Sequence, residues 1–95
     1  MTLQYFDSFD WVAELEDKII SRHGVQAYEV EQCFDDPDLK VRKAQDGRYH
    51  LYGCTDGGRY LFVVFVYMRH MKEIMVRPIT AYDMKLAQRR YYKAK

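Results

Sequence analysis

The chain has 95 residues, of which 48% are hydrophobic and 16% aromatic, so it suits one folded domain over residues 1–95 and is not a disordered tail. Its net charge is +1, but residues 1–38 hold ten acidic and two basic side chains (−8), whereas residues 39–95 hold four acidic and thirteen basic ones (+9). Such a split is typical of proteins that contact nucleic acid or that associate through charge.

The first helix is predicted over residues 10–23, because Trp11, Leu15 and Ile19 recur at helical spacing. Asp10 or Ser8 is expected to cap its N-terminus. A shorter second helix is predicted over residues 27–35. Its inner face consists of three residues, Val30, Cys33 and Phe34.

The middle of the chain reads as strands. We predict strands over residues 39–43, 48–54, 59–67 and 73–79, separated by turns that include an Asp-Gly pair and a Gly-Gly pair. The third of these strands is continuously apolar. It is therefore expected to be the central strand, covered on both faces.

A last helix is predicted from Thr80 to about residue 93, because Thr80 and Asp83 have the spacing of a capping box. The element order is then ααββββα. This order predicts an α+β domain with a four-stranded antiparallel sheet packed against helices.

The N-terminal segment lacks the pattern of a secretory signal, and the apolar segments are too short for membrane helices. Residues 1–11 are acidic and aromatic, and the longest apolar run, residues 60–68, is far shorter than the roughly 20 residues that a membrane helix needs. We therefore expect a cytoplasmic protein with no membrane contact.

Cysteine and histidine spacing argues against a bound metal. Cys33 and Cys54 are expected to be free thiols, and His23, His50 and His70 form no ligand-like pair with them or with one another. We expect no metal site and no cofactor.

Several motifs, in this order and spacing, resemble the BrnT family of toxins. They are Trp11, RHGV at 22–25, FDDP at 34–37, Arg48, GCTDGGR at 53–59, RPITA at 77–81 and RRYY at 89–92. The resemblance implies a small ribonuclease of a type II toxin–antitoxin module with a RelE-like fold. It further implies RNA cleavage without a metal, inhibition of translation, and neutralisation by a cognate ribbon-helix-helix antitoxin.

The chain departs from the family pattern at some charged or polar positions. Leu15 and Ile19 stand where the family usually carries Lys and Asn, and Gly47 stands where it carries an acidic residue. Tyr82 replaces an Arg, and Gln88 replaces a Glu.

Metal-free RNA cleavage needs a base, an acid and cations that stabilise the crowded phosphate. His23 is a candidate base or acid, although a histidine at this position also suits a helix C-terminus. Arg48, Arg59 and Arg77 are the candidate phosphate ligands, with solvated sheet residues as the alternative. Arg48 and Arg59 flank a hairpin, so we expect them to lie close together, and Arg77 is expected beside the start of the last helix.

The C-terminal segment is a candidate RNA-binding surface. Arg89 and Arg90 supply cations for the backbone, and Tyr92 supplies a ring for stacking. The alternative is an ordinary helix end. His50 and His70 are interpreted as structural rather than catalytic residues.

Two other functions compete with the ribonuclease hypothesis. One is a catalytically weakened module of the same fold that binds nucleic acid or protein, which the departures at Leu15, Ile19, Tyr82 and Gln88 favour. The other is a homo-oligomer in which the acidic part of one chain meets the basic part of another.

Overall fold

The computed structural model describes residues 2–94, which form three helices and five strands. In chain order these are β1 (Ser8–Phe9), α1 (Ala13–His23), α2 (Ala27–Phe34), β2 (Lys40–Lys43), β3 (Arg48–Cys54), β4 (Tyr60–His70), β5 (Glu73–Asp83) and α3 (Leu86–Lys93). The predicted α+β class is confirmed. The strands lie in the order β1-β5-β4-β3-β2, so the apolar strand β4 is central, as predicted.

The sheet is mixed and five-stranded rather than antiparallel and four-stranded, because β1 joins its edge. Ser8 pairs with Met75 and Phe9 with Val76, in parallel to β5. A strand of two residues is too short to show an alternating pattern, and its hydrogen-bond partners lie more than 60 residues away. Local sequence therefore carries no signal for β1.

Two predicted helix starts are wrong. The helix α1 begins after Val12, which makes no side-chain cap, and neither Asp10 nor Ser8 caps it. Residues 80–83 continue β5, because Thr80 pairs with Val64 on the central strand. The capping box of α3 lies further along the chain, between Lys85 and Gln88.

The two faces of the sheet are covered differently. The helices α1 and α2 pack on one face, which carries the main core: Ile19, Val25, Val30, Cys33, Phe34, Val41, Leu51, Leu61, Val63, Phe65, Val76 and Ala81. On the second face α3 packs against β3 over a smaller aromatic cluster built on Tyr52, Phe62 and Met84. Because α3 has only eight residues, it covers only part of this second face.

Gly53 marks the closest approach of α2 to the sheet. A Cβ atom at Gly53 would lie 2.8 Å from Cys33 Cβ and 2.9 Å from the Cys33 carbonyl oxygen. We expect Gly53→Ala to lower the free energy of unfolding by about 1–3 kcal/mol, because α2 must shift to admit the methyl group. Urea unfolding would measure this loss.

Gly57→Ala is the matched control for this prediction. A Cβ atom at Gly57 would meet nothing nearer than Thr55 Oγ1, at 3.9 Å. The control should unfold at the same urea concentration as the parent chain. Equal losses in the two variants would contradict the packing argument.

Candidate nucleic-acid interface and active site

The part of the second face that α3 leaves uncovered carries the candidate site. Strand pairing places Arg48, Val66 and Arg77 side by side across β3, β4 and β5. Because neighbouring strands lie about 4.8 Å apart, the Cα atoms of Arg48 and Arg77 are about 10 Å apart.

The adjacent row of the same face places His50, Val64 and Thr80 side by side, with Arg42 next to His50 on β2. We call the two rows together the open sheet surface: Arg42, Arg48, His50, Val64, Val66, Arg77 and Thr80. Each of these residues is exposed or half-buried. The surface therefore offers a cationic rim around an apolar floor.

Arg77 is held in place by Asp10. The guanidinium donates from Nε (2.9 Å) and from Nη2 (2.7 Å) to the same oxygen, Asp10 Oδ2. The Nη1 group makes no hydrogen bond within residues 2–94, which leaves its donors for an anion. Arg77 lies in the middle of β5 rather than beside the start of α3, because β5 runs on to Asp83.

Arg48 is exposed at the start of β3 and forms no salt bridge with the described residues. It borders a shallow hollow of about 290 Å³ together with His50 and the turn residues Ala44, Gln45 and Asp46. An exposed guanidinium beside a hollow is accessible to a phosphate, which it can bind through two N–H groups.

His50 lies in the open sheet surface, although its position in the sequence indicated a structural role. Its ring packs edge-on against the Phe62 ring, with centroids 4.9 Å apart. Burial and, secondarily, the charge of Arg42 lower the pKa of His50. The missed signal was the alternation of β3, which places His50 on the face of Arg48.

Arg42, like His50, belongs to the open sheet surface although the sequence analysis gave it no functional role. Its guanidinium lies 5.0 Å from the centre of the Tyr91 ring, on the border of α3. The antiparallel pairing of β2 with β3 sets Arg42 opposite His50. This contact is visible only once the hairpin register is known.

Arg59 lies beside the far end of β3, on the side of the sheet that α1 and α2 cover, and its donors are all occupied. Nε and Nη2 donate to the Asp83 carboxylate, at 2.7 and 3.0 Å. Nη1 donates to Glu29 Oε1 and to the Gly24 carbonyl, and Nη2 also donates to the His23 carbonyl. These contacts use all five N–H groups of a guanidinium, so Arg59 joins α1, α2 and β5 and has none left for a phosphate.

The expected proximity of Arg48 and Arg59 is wrong. The hairpin connects Cys54 to Tyr60, so Arg59 lies beside the end of β3 and Arg48 lies at its start. A strand of this length separates the two arginines by about 20 Å. Arg48 instead lies in the row of Arg77.

His23 also lies away from the open sheet surface. It is exposed at the end of α1, and its ring is 5.7 Å from the ring of Tyr82. The Tyr82 hydroxyl accepts a hydrogen bond from Gln88 Nε2 (3.1 Å). Two of the departures from the family pattern therefore contact each other as a neutral pair, and a third, Ile19, is 1% exposed in the core.

Arg89 of α3 lies away from the open sheet surface, because Tyr60, on which it packs, pairs with Cys54 at the far end of β3. Arg89 lies 4.5 Å from the centre of the Tyr60 ring, and Arg90 is exposed. Tyr92 is half-buried, and its hydroxyl donates to Asp36 Oδ2 (2.5 Å). Burial and this hydrogen bond raise the pKa of Tyr92, which therefore acts as an anchor for α3 in this arrangement.

Lys40 adds a second anchor for the end of α3. Its Nζ group donates to the carbonyl oxygens of Tyr91 and Ala94. A cation bonded to the last carbonyls of a helix offsets the negative end of the helix dipole.

A hollow of about 690 Å³ beside the end of α2 is a poor match for RNA. Its wall includes four carboxylates, which would repel phosphates: Asp35, Asp36, Asp38 and Asp56.

Residues 2–94 contain no group of His, Cys, Asp and Glu side chains suited to a metal ion. The buried Cys33 thiol, whose pKa burial raises to about 12, is not a nucleophile.

Comparison with known proteins identifies the family. A family model described as the ribonuclease toxin BrnT of type II toxin–antitoxin systems matches residues 11–87. The chain belongs to the BrnT family. The resemblance seen in the sequence motifs is thereby confirmed, and membership implies an RNA substrate and an antitoxin partner.

The fold of this BrnT-family chain is similar to that of a solved relative. The crystal structure of the Brucella abortus ribonuclease toxin BrnT matches with a TM-score of 0.63 and 16% sequence identity, covering 82% of this chain and 96% of that one. No curated protein sequence matches the chain. No helix within residues 2–94 is long and apolar enough to cross a membrane.

Proposed function

We propose that this chain is a metal-independent endoribonuclease toxin that binds and cleaves RNA on the open sheet surface. The alignment of Arg48 and Arg77 across the sheet, with Val66 between them, is the observation that carries the proposal. Two guanidinium groups at this spacing can hold a phosphate between them and stabilise the charge that develops on it during cleavage. Cutting messenger RNA would inhibit translation.

The apolar floor contributes by excluding water. Val64 and Val66 are half-buried between the charged residues, so a phosphate bound above them loses part of its hydration. Charge–charge interactions are stronger in such a site than in bulk water. Arg89, which packs on Tyr60 on the second face, and the exposed Arg90 would hold the RNA backbone at a distance from the cut.

The direct test is RNA cleavage by the toxin freed of antitoxin, in the presence of EDTA. We expect a single-stranded RNA to be cut and its 2′-deoxy analogue to remain intact. Cleavage that appears only after a divalent cation is added would contradict the metal-independent mechanism. Added toxin should also reduce protein synthesis in a cell-free translation reaction.

The antitoxin is proposed to be a ribbon-helix-helix protein that covers the basic open sheet surface. Charge complementarity supports an acidic segment of that protein as the contact. Co-expression with such a protein from a neighbouring gene should restore growth and yield a stable complex. A charge reversal, Arg48→Glu, should weaken the complex more than Arg69→Glu, since Arg69 lies outside this surface.

A binding module without catalysis is the second candidate. The neutral Tyr82–Gln88 contact favours it, because that contact removes charge from the second face. This hypothesis predicts RNA binding that weakens steeply with salt and no cleavage of any RNA by the antitoxin-free protein.

A further inference from the structure

We infer that His50 is the general base of the cleavage reaction, an assignment that rests on the proposed function. Of the three histidines, His50 alone lies in the open sheet surface. It is two residues from Arg48 on β3, on the same face of the sheet. His23 lies beside Tyr82, towards the other end of the second face, and His70 is exposed where β4 ends.

The position of His50 suits a phosphate held between Arg48 and Arg77. Residues two apart on one strand are separated by about 7 Å, so the imidazole and the Arg48 guanidinium can contact adjacent groups of one nucleotide. Arg77 lies across β4 from Arg48, which leaves His50 on one side of the phosphate. The ribose 2′-hydroxyl next to that phosphate is then within reach of a ring nitrogen.

The surroundings of His50 favour its neutral form, which a base requires. Packing against Phe62 removes water from one side of the ring, and Arg42 adds positive charge from β2. The other titratable or charged groups around it are Lys40 on β2, Arg48 and Tyr52 on β3, Asp46 in the turn and Tyr91 on α3. Asp46 is the one carboxylate in this set, and it lies in the turn that closes the hollow.

Proton transfer to His50 starts the step. Neutral His50 takes the proton of the 2′-hydroxyl, and the 2′-oxygen forms a new bond to phosphorus. The bond from phosphorus to the 5′-oxygen breaks, and this oxygen leaves with a proton from solvent water. The products are a 2′,3′-cyclic phosphate and a 5′-hydroxyl, and the imidazolium returns its proton to solvent. The bonds and protons of this step balance without a metal ion or a redox partner.

The variant His50→Gln tests the assignment. Gln keeps the size and polarity of the side chain but cannot take the proton, so we expect cleavage to slow by about 100-fold or more. Binding of the uncleavable 2′-deoxy RNA should change by less than about twofold, since the phosphate ligands remain. His70→Gln is the matched control and should cleave like the parent chain.

The pH dependence of the parent chain gives a second test that needs no variant. Because the pKa of His50 is lowered, the cleavage rate should rise with pH as a group with a pKa below the ordinary histidine value loses its proton. Above that pKa the rate should level off. In His50→Gln the residual rate should lack this rise. Thermal melts of the two proteins show whether the variant folds.

Three outcomes would overturn the inference. The first is His50→Gln cleavage within about threefold of the parent rate, which leaves the proposed function intact. The second is a parent rate that does not depend on pH between 5 and 7. The third is a parent chain that cleaves no RNA, which would overturn the proposed function as well.

Discussion

Arg59→Ala is expected to lower the free energy of unfolding by about 3 kcal/mol. The substitution breaks a bidentate contact to Asp83 and an ion pair to Glu29, whose side chain is 16% exposed. It also leaves the Gly24 and His23 carbonyl oxygens without this donor. The effect is smaller than for a fully buried pair because the Arg59 side chain is 28% exposed.

Urea unfolding of Arg59→Ala, Arg59→Lys and Arg69→Ala would measure this effect. Lys keeps the charge but cannot supply the planar fork, so it should recover only part of the loss. Arg69 is exposed near the end of β4 and makes no salt bridge within the described chain, so its removal should be nearly neutral. Equal stability of all three variants would contradict the role of Arg59.

Acid titration adds an independent measurement of the same contact. The hydrogen bond from Arg59 lowers the pKa of Asp83 below its ordinary value. A carboxyl group with a lowered pKa contributes its full stabilisation above the ordinary value, and this contribution is lost as the pH falls from that value through the lowered pKa of the folded chain. The parent chain should therefore lose stability between about pH 5 and pH 2 more steeply than Arg59→Ala.

Arg48→Ala and Arg77→Ala are each expected to reduce RNA cleavage by about 100- to 1,000-fold. Each change removes a cation that, in the proposed function, stabilises charge on the phosphate, while the sheet below remains intact. Single-turnover cleavage rates of the antitoxin-free protein would measure the effect. Asp10→Asn should have a smaller effect, because it loosens Arg77 without removing it.

Arg69→Ala serves as the control for cleavage too, since Arg69 points to the helix-covered face of β4 by alternation with the residues of the open sheet surface. It should cleave like the parent chain. Unchanged cleavage in both Arg48→Ala and Arg77→Ala, combined with a large loss in His23→Ala, would place the reaction at the opposite end of the second face. Melting temperatures of all variants must match for this comparison.

Strong local patterns in the amino-acid sequence were sufficient for most of the elements. Apolar spacing predicted α1 and α2, and the Asp46-Gly47 turn predicted the hairpin of β2 and β3. The continuous apolar run predicted that β4 is central. The structure confirms these elements. They could be predicted because each is specified by residues that are close in sequence. Motif order also indicated the BrnT family, which the family model confirms.

Long-range pairing decided what the local pattern could not. The edge strand β1 depends on β5, and the extension of β5 through Thr80 depends on its pairing with β4, which outweighs a capping-box spacing. Asp10 looked like a helix cap from its neighbours alone. It bonds Arg77 instead, because the parallel pairing of β1 brings the two residues together.

The candidate site shows the same division. Residue types alone made Arg48, Arg59 and Arg77 candidate phosphate ligands, and Arg59 differs from the other two only in its surroundings. Strand register placed His50 beside Arg48 and Arg59 about 20 Å away, at the opposite end of β3. The residue types therefore indicate which chemistry the chain could perform. Which residues act together depends on register and on the partners that occupy each charge, and both arise only when distant segments pack.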